Sequence, residues 1–182
     1  MNSSNKGKKS KKLLLIGLDN AGKTSLLLSL QKNTNLLSYY SLKPTQGLNI
    51  VNFPDRDTLF NIWDFGGQEQ FRKDYLQHLD EYLTEVDKLI FVIDVQDTER
   101  YEIALQYLVR IIESLKRIES NIDLSIFLHK FDPGLEKLPH FTDKNIALNI
   151  VNKIKKIVPP NFHYKMFKTS IYTVFQKSSM II

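Results

Sequence analysis

The feature that most constrains this chain lies near its start. A continuously apolar run, Leu13-Leu14-Leu15-Ile16, leads into Gly17-Leu18-Asp19-Asn20-Ala21-Gly22-Lys23-Thr24 and then into an amphipathic stretch over residues 22–32. An unbroken apolar run of this length predicts a strand over residues 11–16 buried on both faces, as in a parallel sheet. The eight residues after it fit G-x-x-x-x-G-K-[ST] without departure, in the strand–turn–helix setting that pattern requires. The glycines let backbone N–H groups turn inward around phosphate oxygens. The following helix adds the positive end of its dipole. Lys23 supplies a point charge for the outer phosphates, and the Thr24 hydroxyl can ligate Mg²⁺. The alternative is a Gly-rich turn that matches by chance. Asp19 is out of keeping with an anion cradle, because a carboxylate repels phosphate. Its side chain is expected to turn away and cap the local turn.

The remaining pattern alternates strands with helices. Strands are predicted at 48–53, 58–63, 88–95, 124–128 and 163–167, and helices at 100–118, 144–157 and 171–182. Residues 33–47 read as a loop, and Pro54-Asp55-Arg56-Asp57 as a hairpin turn. Residues 100–118 carry a 3.6-residue stripe of Ala104, Tyr107, Leu108, Ile111, Ile112, Leu115 and Ile118. Alternation of this kind predicts an α/β fold whose mostly parallel sheet is covered on both faces. At 182 residues one domain is expected, with residues 1–10 a disordered basic arm and residues 11–182 the folded unit.

Three later stretches carry candidate chemistry. Trp63-Asp64-Phe65-Gly66-Gly67-Gln68 ends a strand on an acid and continues through two glycines. Asp64 could hold Mg²⁺. Gly67 could bring its N–H against a terminal phosphate, and Gln68 could orient an attacking water. A plain strand-to-loop turn is equally open. Thr45, bracketed by Pro44 and Gly47, could complete the Mg²⁺ shell or be a solvated hydroxyl. In His129-Lys130-Phe131-Asp132, a strand-end carboxylate could accept both N1–H and the exocyclic amine of guanine, a donor pair adenine lacks. The Lys130 stem could lie along the base. Thr169-Ser170-Ile171 could give a backbone N–H to the guanine carbonyl or simply cap a helix.

In this order the motifs resemble the small GTPases of the Ras superfamily, over residues 11–182. The phosphate loop, Pro44-Thr45-x-Gly47 and Trp63-Asp64-x-Gly66-Gly67-Gln68 are similar to the Arf branch. His129-Lys130-x-Asp132 and Thr169-Ser170-Ile171 are more similar to the Rag branch. Most small GTPases have Asn where His129 stands, and an imidazole offers fewer hydrogen bonds than that amide. The resemblance implies a P-loop NTPase fold with six strands and five helices, and a GTP/GDP switch with Mg²⁺ as cofactor. Switch I would span about residues 35–47 and switch II about 66–82. It implies nucleotide contacts from Asp19, Asn20, Ala21, Gly22, Lys23, Thr24, Ser25, Thr45, Gly67, His129, Lys130, Asp132, Ser170 and Ile171. Metal ligation falls to Thr24, Thr45 and Asp64, and catalysis to Gln68, Lys23 and Gly67. Protein effectors, activating partners and exchange factors follow.

Charge and composition bound the setting. The net charge is +5, yet the first twelve residues hold five Lys and no acid, leaving 20 basic and 20 acidic residues elsewhere. A neutral body argues against nucleic-acid binding. The arm could touch an anionic membrane at roughly 1 kcal/mol per Lys, or be a solvated tail. With no cysteine, Asn2 in place of the myristoylated Gly, and no signal-peptide pattern, neither lipidation nor secretion is expected. The expectation is a cytoplasmic monomer, peripheral at membranes at most. Two other functions fit parts of the pattern: a GTP/GDP-binding module with negligible hydrolysis, and a P-loop kinase or ATPase, which Lys130 and Asp132 disfavour.

Overall fold

The computed structural model describes residues 9–31, 35–118 and 121–172. Its frame is a six-stranded sheet in the order β2-β3-β1-β4-β5-β6. The strands are β1 (Lys9–Gly17), β2 (Leu48–Asp55), β3 (Thr58–Phe65), β4 (Lys88–Asp94), β5 (Asp123–His129) and β6 (Tyr164–Lys168). Only β2 runs antiparallel to its neighbour; the other pairings are parallel.

Side-chain alternation along β1 explains why the apolar run is unbroken. Leu14 and Ile16 join the larger core with Phe91, Leu124 and Ile126, while Leu15 faces the opposite core with Ile62, Val92 and Leu27. A strand with both faces buried has no position left for a polar side chain. The larger core is closed by α5 (Tyr101–Arg117), where every residue of the 104–115 stripe is buried and Ile118 packs against the cluster. The smaller core lies under α1 (Lys23–Ser29).

Several boundaries differ from the sequence-based expectation. The first strand starts at Lys9, because backbone pairing with Thr58 and Leu59 recruits Lys9 and Ser10 from the expected arm. Residues 1–8 lie outside the described residues, as does most of the expected C-terminal helix, while Ile171 and Tyr172 are not helical. The hairpin turn is two residues, Arg56 and Asp57, since Pro54 and Asp55 still pair with Leu59 and Thr58. Pro54 is tolerated there because β2 is an edge strand. The expected loop at 33–47 contains α2 (Leu36–Tyr40), whose first turn is capped by Asn35 accepting from Ser38 N–H at 3.1 Å. The helix expected at 144–157 is α6 (Asp143–Ile146) and α7 (Asn152–Ile157), joined by a π-helical stretch at Ala147–Val151.

After β3 the chain forms α3 (Glu69–Gln77) and α4 (Leu79–Tyr82), divided at His78. Phe65, Tyr75 and Tyr82 pack edge to face beneath them, with ring centroids 4.8–6.0 Å apart. The α4 end is fixed to α5 by a forked pair: Arg117 Nε and Nη2 donate to the two Asp80 oxygens at 2.9 and 2.8 Å.

Candidate functional site

The parallel register brings the carboxyl ends of the strands to one edge. Leu15 is level with Asp64, Gly17 with Val92, and Asp94 with His129. From β1 the chain passes to β2 and β3 on one side of it, and from β3 it crosses to β4 on the other, so a crevice opens at this end, where open α/β sheets hold ligands. A cleft of about 300 Å³ lies there, lined among others by Asp19, Asn20, Gly22, Lys23, Thr24, Ser25, Thr45, Gly67 and Gln68. A larger cavity, about 540 Å³, sits at the opposite edge between Leu115 and His163 and holds none of the expected site residues.

Lys23 opens α1 and is 5% exposed. Its ammonium donates to the carbonyls of Leu18 at 2.7 Å and Gly17 at 3.1 Å. Burial lowers its pKa to about 8, against the opposing pull of Asp64 and Asp19. A buried cation held on neutral carbonyls is primed to take an anion.

At the foot of the cleft three side chains from distant elements converge. The hydroxyls of Thr24 and Thr45 are 2.8 Å apart, and they donate to Asp64 Oδ2 at 2.6 and 3.2 Å. Asp64 is fully buried, and among the described residues its Oδ1 has no hydrogen-bond partner. Burial raises its pKa, opposed by the Thr24 hydroxyl and the Lys23 charge. An acceptor oxygen with no donor, beside two hydroxyl oxygens, is a donor set suited to a hard divalent cation such as Mg²⁺. Among the described residues no cluster of three His, Asp or Glu side chains forms a protein-only cage, so such an ion would take its remaining ligands from water and phosphate.

Glycine is required where switch II meets the phosphate loop. A Cβ on Gly67 would stand 2.1 Å from Asp19 N and 2.5 Å from Leu18 O. Gln68 follows as the N-cap of α3 and lines the cleft. Asp19 does turn away, but onto Arg100 rather than its own turn: Arg100 Nη1 donates to Asp19 Oδ1 at 3.0 Å and Nη2 to Asp19 O at 3.3 Å. A forked cation is a stronger partner than neutral turn amides. Two other arginines, Arg56 and Arg72, are the nearest in sequence that could supply positive charge to the cleft. Arg56 is in the hairpin turn at the opposite end of β3. Arg72 lies over the Tyr107 ring, 5.6 Å from its centroid.

The second cluster continues from Gly22. His129, 2% exposed, places its ring against Gly22 and its Nδ1 2.9 Å from Thr169 Oγ1. Burial and the neighbouring Lys130 lower its pKa, which keeps the imidazole neutral. Lys130 reaches Asp94 at 2.8 Å. Asp132 accepts from Ser170 Oγ on one oxygen and from Gln96 Nε2 at 3.0 Å on the other. Ala21 is buried in the loop, and Ile171 is half-buried beside Ser170. The sequence reading missed Gln96, Arg100, Asp94 and the Thr169 hydroxyl. The polar residues just after β4 were the available signal, since strand ends at a switch point face the ligand crevice.

Residues 12–182 match the Gtr1/RagA G protein conserved region. The chain is 36% identical over 154 residues to "ADP-ribosylation factor F" of Dictyostelium discoideum, covering 85% of this chain and 77% of that one. Its fold is similar to the Arl6 BBS3 small GTPase of Trypanosoma brucei, solved with the nucleotide analogue GppNp, at a TM-score of 0.68 and 18% identity over 89% of this chain and 87% of that one. With its family region matched almost end to end, the chain belongs to the small GTPases of the Arf/Rag type.

Proposed function

We propose that this chain is a switch that binds GTP and GDP with Mg²⁺ and hydrolyses GTP slowly to GDP and phosphate. The observation that carries the reading is the convergence of Thr24, Thr45 and Asp64 below Lys23, from a helix, a loop and a strand far apart in sequence.

In this reading the phosphate loop wraps the β-phosphate with its N–H groups, and Lys23 moves from the Leu18 and Gly17 carbonyls to the outer phosphate oxygens. Thr24 and Thr45, with Asp64, would hold Mg²⁺, which when bound would supply charge neutralisation for the terminal phosphoryl group. Gly67 donates its N–H to that group. Gln68 orients the water that attacks the γ-phosphorus, and the bond to the β–γ bridging oxygen breaks. Asp132 reads the two guanine donors and Lys130 flanks the base. Ser170 and Ile171 border the guanine carbonyl, and Asn20, Ala21 and Ser25 line the phosphates.

Residues 35–53 contain no arginine. Intrinsic turnover is therefore expected near 10⁻⁴–10⁻³ s⁻¹, as an order of magnitude, with an activating protein supplying the missing charge. Thr45 and Gly67 lose a ligand when the terminal phosphate leaves, which frees both switch loops for effector and regulator binding. The reading extends to a cytoplasmic monomer whose Lys-rich start is a solvated tail, with weak electrostatic contact to anionic membranes as the alternative. Among the described residues no helix is long and apolar enough to cross a membrane.

Single-turnover hydrolysis of GTP with and without Mg²⁺, and competition of GTP binding by ATP, test this directly. Equal binding of ATP would overturn the guanine assignment. Tight binding without Mg²⁺-dependent release of phosphate would leave a binding module.

A further inference from the structure

Asp19 is the one acid in the phosphate loop. It lines the same cleft as Lys23 and Gln68, and its charge is felt at the Lys23 ammonium. Its backbone N is the atom that Gly67 crowds against. On the reading above, Gly67 faces the terminal phosphate, so Asp19 belongs to the γ-phosphate end of the cradle. A free carboxylate there would repel that group and compete for Lys23.

Arg100 prevents this geometrically. Two of its nitrogens grip the side chain and the carbonyl of Asp19. Its Nε donates to Asp97, which also pairs with Nη2; this fixes the guanidinium and raises its pKa. The anchor is rigid: Arg100 immediately precedes α5, and the next residue, Tyr101, is buried and donates its hydroxyl to Val95 O. We propose that Arg100 is a positioning residue for triphosphate recognition, which holds the Asp19 carboxylate on the outer side of the phosphate loop, away from the incoming terminal phosphate, so that the cradle accepts that group. The proposal rests on the GTP/GDP reading of the cleft. It assigns Arg100 no contact with nucleotide.

The test is a double-mutant cycle on the full chain, with dissociation constants for GppNp and GDP in the presence of Mg²⁺. Wild type should bind both, and failure to bind either would remove the reading of the cleft itself. Arg100→Met should weaken GppNp roughly tenfold, the scale of one uncompensated charge in a partly screened site, and GDP far less. In the Asp19→Asn background the same Arg100→Met change should leave the GppNp constant nearly unaltered. A purely structural anchor would instead lower both affinities alike, with no relief from Asp19→Asn. Either that pattern or an unchanged GppNp constant in Arg100→Met overturns the proposal. If Arg100→Met fails to fold, Arg100→Gln keeps a donor and removes the charge, with the same outcomes expected.

Discussion

Gly22 and His129 are in direct contact: a Cβ on Gly22 would lie 2.4 Å from His129 Cδ2 and 2.7 Å from Nε2. The ring cannot swing aside, since it is buried and bonded to Thr169. Gly22 also has φ +90°, a conformation that L side chains resist. Gly22→Ala is therefore expected to cost about 1–2 kcal/mol of stability and to weaken GDP binding at least tenfold, to order of magnitude, as the loop and β5 separate. Urea denaturation and titration with a fluorescent GDP analogue check both. Wild-type values in both would show that the contact is slack.

Gln68 lines the cleft at the start of α3, and its carbonyl accepts from Arg72 N–H at 3.0 Å. Gln68→Leu keeps that backbone bond and removes only the amide. Nucleotide affinity should stay within about threefold, while hydrolysis falls by at least about a hundredfold. Normal turnover of GTP by this variant would remove Gln68 from the water-orienting role.

Lys23 gives a pH signature. Its pKa is lowered from 10.5 to about 8 by burial, so above pH 8 the free protein has lost much of this charge. Phosphate restores the charged form, so nucleotide binding must take up a proton at alkaline pH. Affinity should fall as pH rises through about 8. Calorimetry at about pH 9 in buffers of different ionisation enthalpy should show uptake approaching one proton. Zero uptake would mean that the ammonium does not meet the phosphates.

His129 sets a slope on the acid side. Its pKa is below 6.5 in the folded chain, so below that pH the unfolded state binds more protons than the folded one. The neutral ring's contribution is complete above pH 6.5 and is lost as pH falls toward its lowered native value. His129→Asn should flatten the change in denaturation midpoint between about pH 7.5 and 5.5. The same steepness in both proteins would place the titration elsewhere.

Trp63, the one tryptophan, sits in β3 between the two switch segments. Lys12 Nζ lies 4.3 Å from its ring centroid, and Tyr82 meets it edge-on at 6.3 Å. Lys12 also donates to the carbonyls of Tyr82 and Thr84, so the indole borders the end of the expected switch II at Tyr82. Exchange of GDP for GTP should change its emission. A constant spectrum after exchange verified by chromatography would count against movement of β2 and β3.

What was legible in the sequence was what short spacing or periodicity encodes. The phosphate loop is contiguous, so its strand, turn and helix follow from eight neighbouring residues. The α5 stripe is long enough to fix its period and its buried face. Thr45 and Asp64 are 19 residues apart, yet each announces itself, one between Pro and Gly, the other at a strand end. The partners of Asp19 and Asp132 do not: Arg100 is 81 residues from Asp19, and Gln96 is 36 from Asp132. Only the sheet order, which sets β4 beside β1 and β5, brings them together. At five residues α2 is too short for a period to emerge, though its cap Asn35 was visible. The π-helical stretch leaves no local mark, because Ala147–Val151 continues an apolar pattern that an ordinary helix would also use.

The division at His78 gives switch II a fulcrum. Beyond it, Arg117 rivets Asp80 to the long helix, and Leu79 is sunk in the core. Before it, Glu69 and Lys73 pair on the open surface. On the proposed switch reading, displacement that begins at Gly67 would have to move α3 against its own buried Tyr75 before it reached α4. On the same reading, a partner that grips the exposed Glu69–Lys73 face of α3 would meet the nucleotide-dependent part of switch II first.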